Sequence, residues 1–240
     1  MDISKLDKLI KPSGTMAISN KSRELKSQGK PVIGFGAGEP DFPSPDHVVE
    51  AAIKAASDPK NHKYSPAAGL ESLREAIAKT SKEYSGFDIN SNNVIVSNGG
   101  KQSILTAFLS ILDRGDEVLI PTPYWTTYPE AVKIAGGEPS FVETDKHNNF
   151  KVTVDQLEEA KTNNTKMLVW CSPSNPTGVV YTKEEAEKIY EWVFKNDLWI
   201  LSDELYEHLV YEGITSPSPA IYDPELNNTI IVNGVSKAYS

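Results

Sequence analysis

The sequence predicts an α/β protein: a mainly parallel sheet with helices on both faces, preceded by an N-terminal arm. Three observations carry this. From residue 93 onward, short β-branched runs alternate with longer stretches of helical periodicity, the pattern of parallel strands joined by crossover helices. Strand runs end in turns bearing glycine, proline or a polar side chain, where open α/β sheets place ligands. The chain has 240 residues, 39% hydrophobic and 24% charged, the composition of a soluble globular protein with room for one large domain.

The elements follow in order. A helix is expected over residues 15–27, stopped by Gly29. Residues 31–42 contain Gly34, Gly36 and Gly38 at alternate positions and then a turn. This is either a close approach of backbone to a ligand or a plain glycine-rich turn. Ser44 and Pro45 form an N-cap and first-turn pair for a helix to about residue 56. After a loop over 63–69, Leu70, Leu73, Ala76 and Ile77 give one apolar helix face. A strand is expected over 93–97, a tight turn at Asn98-Gly-Gly100, and a helix from Lys101 to about Leu112 that is apolar on most sides and therefore buried. Residues 117–120 form the next strand, and a helix over 128–135 stops at Gly136-Gly137. Thr153 with Gln156, and Thr182 with Glu185, have capping-box spacing. The second box opens a helix with a buried stripe at Ala186, Ile189, Tyr190 and Val193. Strands over 166–171, 198–202 and 229–232 deliver the proline-rich loop 172–178, Asp203 and Lys237 respectively.

Composition excludes several function classes. The formal net charge is −9 with no long basic block, which argues against nucleic acid and anionic membrane as partners. No apolar run reaches membrane-spanning length, and the first residues lack a signal-peptide core. One cysteine, Cys171, permits no intrachain disulfide and fits a reducing, cytoplasmic setting; its expected role is that of a small buried hydrophobe. The four histidines show no metal-ligand spacing, so no metal is expected.

The chemically suggestive residues all lie just after strands, where a doubly wound sheet brings them to one crevice. Gly99 and Gly100 open a helix, either as a phosphate seat with Lys101 adding charge or for packing alone. Trp125 either lies flat against an aromatic ligand or belongs to the core. Asn175 is a positioned donor or part of a plain turn. Asp203 is a half-buried carboxylate in need of a cationic partner, or a helix cap. Tyr206 falls near Asp203 if the chain turns helical, or packs in the core. Lys237 is a solvated surface charge or, at the carboxyl end of a buried strand, an amine able to form a Schiff base. Taken together, these groups describe a pyridoxal 5′-phosphate (PLP) site.

The same stretches carry a resemblance. Ala37-Gly-Glu-Pro-Asp-Phe42, Tyr64 with Pro66-Ala-Ala-Gly69, Gly99-Gly-Lys-Gln102, Pro123-Tyr-Trp125, Ser174-Asn-Pro-Thr-Gly178, Ser202-Asp-Glu-Leu-Tyr206 and Ser236-Lys-Ala-Tyr239 stand in the order and spacing of the fold-type-I, class I aminotransferases. The chain resembles the N-terminal part of the bacterial and archaeal aspartate aminotransferases. The resemblance implies catalytic roles for Lys237, Asp203 and Tyr206: Lys237 as Schiff-base residue and proton carrier, Asp203 on the pyridine nitrogen. It implies Asn175 and Tyr206 on the phenolate oxygen, Trp125 against the ring, and Gly99, Gly100 and Lys101 on the phosphate. Gly38, Trp125 and Asn175 would meet the substrate, and Tyr64 would reach the phosphate of the other subunit in a homodimer with shared sites. It further implies that residues 1–45 are an arm and part of a small domain, and 46–240 the PLP-binding large domain.

Two departures accompany it. Many relatives have serine three residues before the lysine, where this chain has Gly234. The family continues into a segment whose arginines bind the phosphate and the substrate carboxylate, so the chain reads as truncated after Lys237, and little transamination is expected of residues 1–240 alone. The implied reaction is amino transfer between aspartate and 2-oxoglutarate. Rival expectations are an aromatic or prephenate aminotransferase, a C–S lyase on the same scaffold, or a PLP-binding regulatory domain without turnover.

Overall fold

A computed structural model describes residues 4–240. Five strands form one sheet: β1 (Glu117–Pro121), β2 (Glu138–Val142), β3 (Thr165–Cys171), β4 (Trp199–Asp203) and β5 (Thr229–Val232). Their order is β2-β1-β3-β4-β5 and every neighbouring pair is parallel. Parallel neighbours need long crossovers, and helices supply them. The helices are α1 (Leu6–Leu9), α2 (Gly14–Ser27), α3 (Asp46–Ser57), α4 (Glu71–Thr80), α5 (Gly100–Ile111), α6 (Thr127–Ile134), α7 (Val154–Ala160) and α8 (Lys183–Lys195).

The side-chain period of two sorts the strands onto two cores. Val118, Ile120, Met167, Val169 and Leu201 pack with Ile104 and Phe108 of α5 and Tyr128 and Val132 of α6. Leu119, Leu168, Trp170 and Ile200 face the other way, onto Leu157 of α7 and Ile189, Tyr190 and Val193 of α8. The α/β expectation of a sheet covered on both faces therefore holds. Both capping boxes form: Thr153 with Gln156 opens α7, and Thr182 with Glu185 opens α8.

Several local expectations change. Residues 94–97 form no strand; Val96 N–H donates to the Ala68 carbonyl at 3.0 Å and the segment joins no ladder among the described residues. β2 was not foreseen: Glu138-Pro-Ser-Phe-Val142 is polar and proline-containing, and it is a strand because β1 pairs with it at the sheet edge. Ser44 does not cap α3; Pro45 holds the N-cap position and the Ser44 hydroxyl donates to the Ser240 carbonyl. Helix α5 is less enclosed than its composition suggests, since Leu109 on its outer side is exposed. The apolar residues of α3 are largely uncovered, Ile53 among them, and at α4 its N-cap Leu70 and Leu73 are exposed while Ala78 is buried.

Candidate active site

The carboxyl ends of β3, β4 and β5 and the start of α5 meet at one place. Asp203 is the last residue of β4, opposite Cys171 of β3 and Val232 of β5. It is 3% exposed. The donors to its carboxylate are a phenol and an amide. Tyr128 Oη–H donates to Oδ2 at 2.6 Å, and the Leu205 N–H to Oδ1 at 3.3 Å. Burial pushes the Asp203 carboxyl above the ordinary carboxylate range, while these two bonds pull it back down. Burial likewise pushes the Tyr128 phenol well up, and the nearby Asp203 charge adds to this. The Cys171 thiol is pushed up to about 12 by burial first and Asp203 second, so it stays neutral, although the residue is half-buried and not the fully buried hydrophobe expected.

Around Asp203 stand the other residues the sequence singled out. Tyr206 follows in the turn after β4, and Asn175 Nδ2 donates to its hydroxyl at 3.3 Å. Asn175 sits in the loop after β3, between the cis prolyl bonds Ser172-Pro173 and Asn175-Pro176. Lys237 Nζ lies 5.8 Å from the centroid of the Tyr206 ring and donates to the Gly38 carbonyl at 2.8 Å. Gly38 is thereby drawn to the site from 199 residues away. Trp125 meets Tyr128 edge to face with centroids 5.6 Å apart, and Lys101 Nζ lies 5.7 Å from the Trp125 ring.

The floor is the start of α5. Gly99 is its N-cap at φ +83°, a backbone only glycine adopts freely, and no side chain caps the first turn. A Cβ on Gly100 would lie 3.6 Å from Leu205 and 3.9 Å from Val232, so this turn packs directly on the ends of β4 and β5. An uncapped helix start with Lys101 beside it suits an anion. Gly234 likewise lies against Leu205, 3.6 Å from where its Cβ would be.

Gly38, Gly99, Gly100, Lys101, Trp125, Asn175, Asp203, Tyr206 and Lys237 thus come together in one chain. Tyr64 does not: it is fully exposed. Tyr128 is the residue that sequence reasoning missed. The sequence marks it only as the start of a helix, and its partner is 75 residues away. The available signal was Asp203 itself, a carboxylate ending an apolar strand with no basic residue nearby in sequence. Glu204 was missed similarly; it is buried, and accepts from the Ser202 and Ser218 hydroxyls.

Comparisons with known proteins point the same way. The profile of the family "Aminotransferase class I and II" matches residues 30–240. The chain is 53% identical over 232 residues to the aspartate aminotransferase of Streptomyces avermitilis, covering 96% of this chain and 57% of that protein. It is 47% identical over 241 residues to the aspartate aminotransferase of Geobacillus stearothermophilus, covering 100% of this chain and 61% of the relative. The structure of Thermus thermophilus aspartate aminotransferase with maleate superposes with a TM-score of 0.95 at 43% identity, over 100% of this chain and 62% of that one. The chain therefore spans about three fifths of the length of these relatives. Identity of this degree, over nearly every residue and with the same fold, leaves one conclusion: the chain belongs to the class I and II aminotransferase family.

Proposed function

We propose that this chain carries the cofactor-binding site of a PLP-dependent transaminase that moves an amino group between L-aspartate and 2-oxoglutarate. The observation that carries the reading is the convergence of a buried carboxylate, Asp203, with an amine, Lys237, beside Tyr206 and Asn175. The residues fit PLP on their own chemistry. A carboxylate buried without a cation is costly, and a protonated ring nitrogen would satisfy it. The uncapped start of α5 with Lys101 would hold the phosphate. Trp125 would cover the ring, and Asn175 with Tyr206 would donate to its oxygen. When bound, PLP supplies a carbonyl that takes up the amino group and a ring that accepts electrons.

The chain's own groups do the rest. Asp203 holds the proton on the ring nitrogen, because the ionised carboxylate is stable there only beside a positive charge. Tyr128 steers Asp203 by occupying Oδ2. Lys237 Nζ is the group that moves a proton to and from the substrate Cα. Its bond to the Gly38 carbonyl joins the N-terminal segment to the site where Gly38 would meet the substrate.

Aspartate is the proposed donor because the similar proteins bear that name, and because the Thermus structure carries maleate, a dicarboxylate. The active form is a homodimer in this reading. Tyr64 is fully exposed, as a residue lent to a neighbouring subunit must be, and Ile33, Phe35 and Phe42 are exposed in the same N-terminal segment. Borohydride reduction of the PLP-loaded full-length protein, followed by peptide mapping, should place the pyridoxyl group on Lys237; a label on another lysine overturns the assignment. Assay against a panel of amino donors should show aspartate preferred.

A further inference from the structure

Glu204 is a buried carboxylate that the proposed chemistry does not use. It follows Asp203, and its N–H donates to the Val232 carbonyl at 2.8 Å, extending the β4–β5 ladder by one rung. Its side chain therefore points to the opposite face of the sheet from that of Asp203. There it is 4% exposed. Its Oε1 accepts from Ser202 Oγ at 2.9 Å and from Ser218 Oγ at 2.7 Å. Ser202 and Ser218 are themselves buried. Residues 205–217, between Glu204 and Ser218, leave the sheet as an irregular segment. It carries Tyr206 into the site. Leu209, Tyr211 and Ile214 line, together with Tyr206 and Asn175, a cleft of about 440 Å³.

We propose that Glu204 is a positioning residue for this site: its carboxylate staples the two ends of the 204–218 segment and so fixes the Tyr206 hydroxyl relative to Asn175. The inference rests on the reading of the site as a PLP site. Closing a loop of this length costs entropy, and a buried bond to a carboxyl oxygen offsets it better than a solvated one. The segment has other ties. Ser216 Oγ donates to the Ser172 carbonyl at 2.9 Å, and Glu207 accepts from Asn233 Nδ2 at 2.6 Å and Ser85 Oγ at 2.9 Å. Ser216, Glu207, Asn233 and Ser85 are exposed or half-buried and among these partners Ser172 alone is buried, whereas Glu204 and both its serines are all enclosed.

The test uses the full-length protein with Ser218→Ala, Glu204→Ala and Glu204→Gln, the last keeping an oxygen that accepts from both hydroxyls. Two measurements are made: backbone amide exchange without cofactor, and the pH midpoint of the visible absorbance of bound PLP. Loss of a buried hydrogen bond should raise exchange in 205–218 about 2- to 10-fold in Ser218→Ala, leaving β3 and β4 protected. A donor on the ring oxygen holds that midpoint down, so a displaced Tyr206 should move it up in Ser218→Ala, and Glu204→Gln should restore it toward wild type. Glu204→Ala should repeat both effects if it folds; Ser218→Ala decides the matter if it does not. Unchanged exchange in Ser218→Ala, or raised exchange with an unmoved midpoint, overturns the positioning role. Wild type that binds no PLP overturns the reading beneath it instead, and the exchange result distinguishes the two failures.

Discussion

Tyr128→Phe removes one oxygen from the site and little else. The ring keeps its edge-to-face packing on Trp125 and its place in the core with Val132 and Phe108. What is lost is the 2.6 Å bond to Asp203 Oδ2, leaving the Leu205 N–H at 3.3 Å as the remaining donor. A hydrogen bond to a charged group contributes about 1.5–3 kcal/mol net. That bond also opposes the burial that raises the Asp203 carboxyl, so its loss moves Asp203 further toward the neutral form. A neutral Asp203 cannot hold a protonated ring nitrogen. The variant should lose about 10- to 150-fold in PLP affinity and in kcat/KM, since each 1.4 kcal/mol is tenfold. The loss should grow as pH falls, because protons then compete for the same carboxylate. The assay is PLP titration by fluorescence quenching with steady-state turnover, from pH 6 to 9, on full-length variant and wild type. Wild-type affinity and turnover across that range would show that Asp203 needs no help from Tyr128.

Other outcomes follow from the same geometry. Asp203→Ala should keep the fold but raise the barrier by several kcal/mol, about 10³-fold or more in turnover, and near-normal rates in the full-length variant would contradict its role. Glu204 is pushed up to about 7 from 4.5, by burial first, with the charges of Glu207 and Asp203 adding. The native state thus binds this proton more tightly than the unfolded state. The resulting stability is full below about pH 4.5 and is lost as pH rises through about 7, a change of about 3 kcal/mol. Glu204→Gln cannot ionise, and urea unfolding of the cofactor-free protein from pH 5 to 8 should show a flatter dependence. Asp203, raised by burial, adds a contribution of the same sign in both proteins, and the Tyr190 phenol of α8 stays neutral because burial pushes it up. Equal slopes in variant and wild type would refute the assignment. Mixing Tyr64→Phe and Lys237→Ala subunits of the full-length protein should yield hybrid dimers with one unimpaired site, and inactive hybrids of demonstrated composition would argue against sharing.

What the sequence made legible was what local pattern controls. The run at 166–171 is apolar after Lys166 and that at 229–232 is β-branched, and both are strands whose apolar side chains are covered on the two faces of the sheet. The capping boxes at Thr153 and Thr182 are complete within four residues, so they form as read. The stretch 93–97 has the same local character, yet a strand needs a neighbour, and Val96 finds only Ala68. β2 is the converse, polar in sequence and a strand because β1 lies beside it. At the site, Asp203 and Lys237 were legible from their place after strands. Tyr128 was not, since a phenol ahead of a helix carries no mark of which carboxylate it will meet. Nor were the protein donors on Asp203, a tyrosine and a backbone amide.

Asp203 and Glu204 are neighbours in sequence that act on opposite sides of the sheet. One faces Tyr128 and the site; the other faces Ser218 and the segment beyond. A single-residue deletion within Trp199–Asp203 would turn each carboxylate to the other side while leaving β4 able to pair. The tether would stand where the charge is needed, and the charge where the tether is needed. The strand's length is thus under tighter restraint than its composition. Leu201 could exchange with another apolar residue at modest cost, but no change of spacing between β4's start and its end could be accommodated by repacking. Engineering of this region should accordingly vary side chains freely within the strand and leave its residue count untouched.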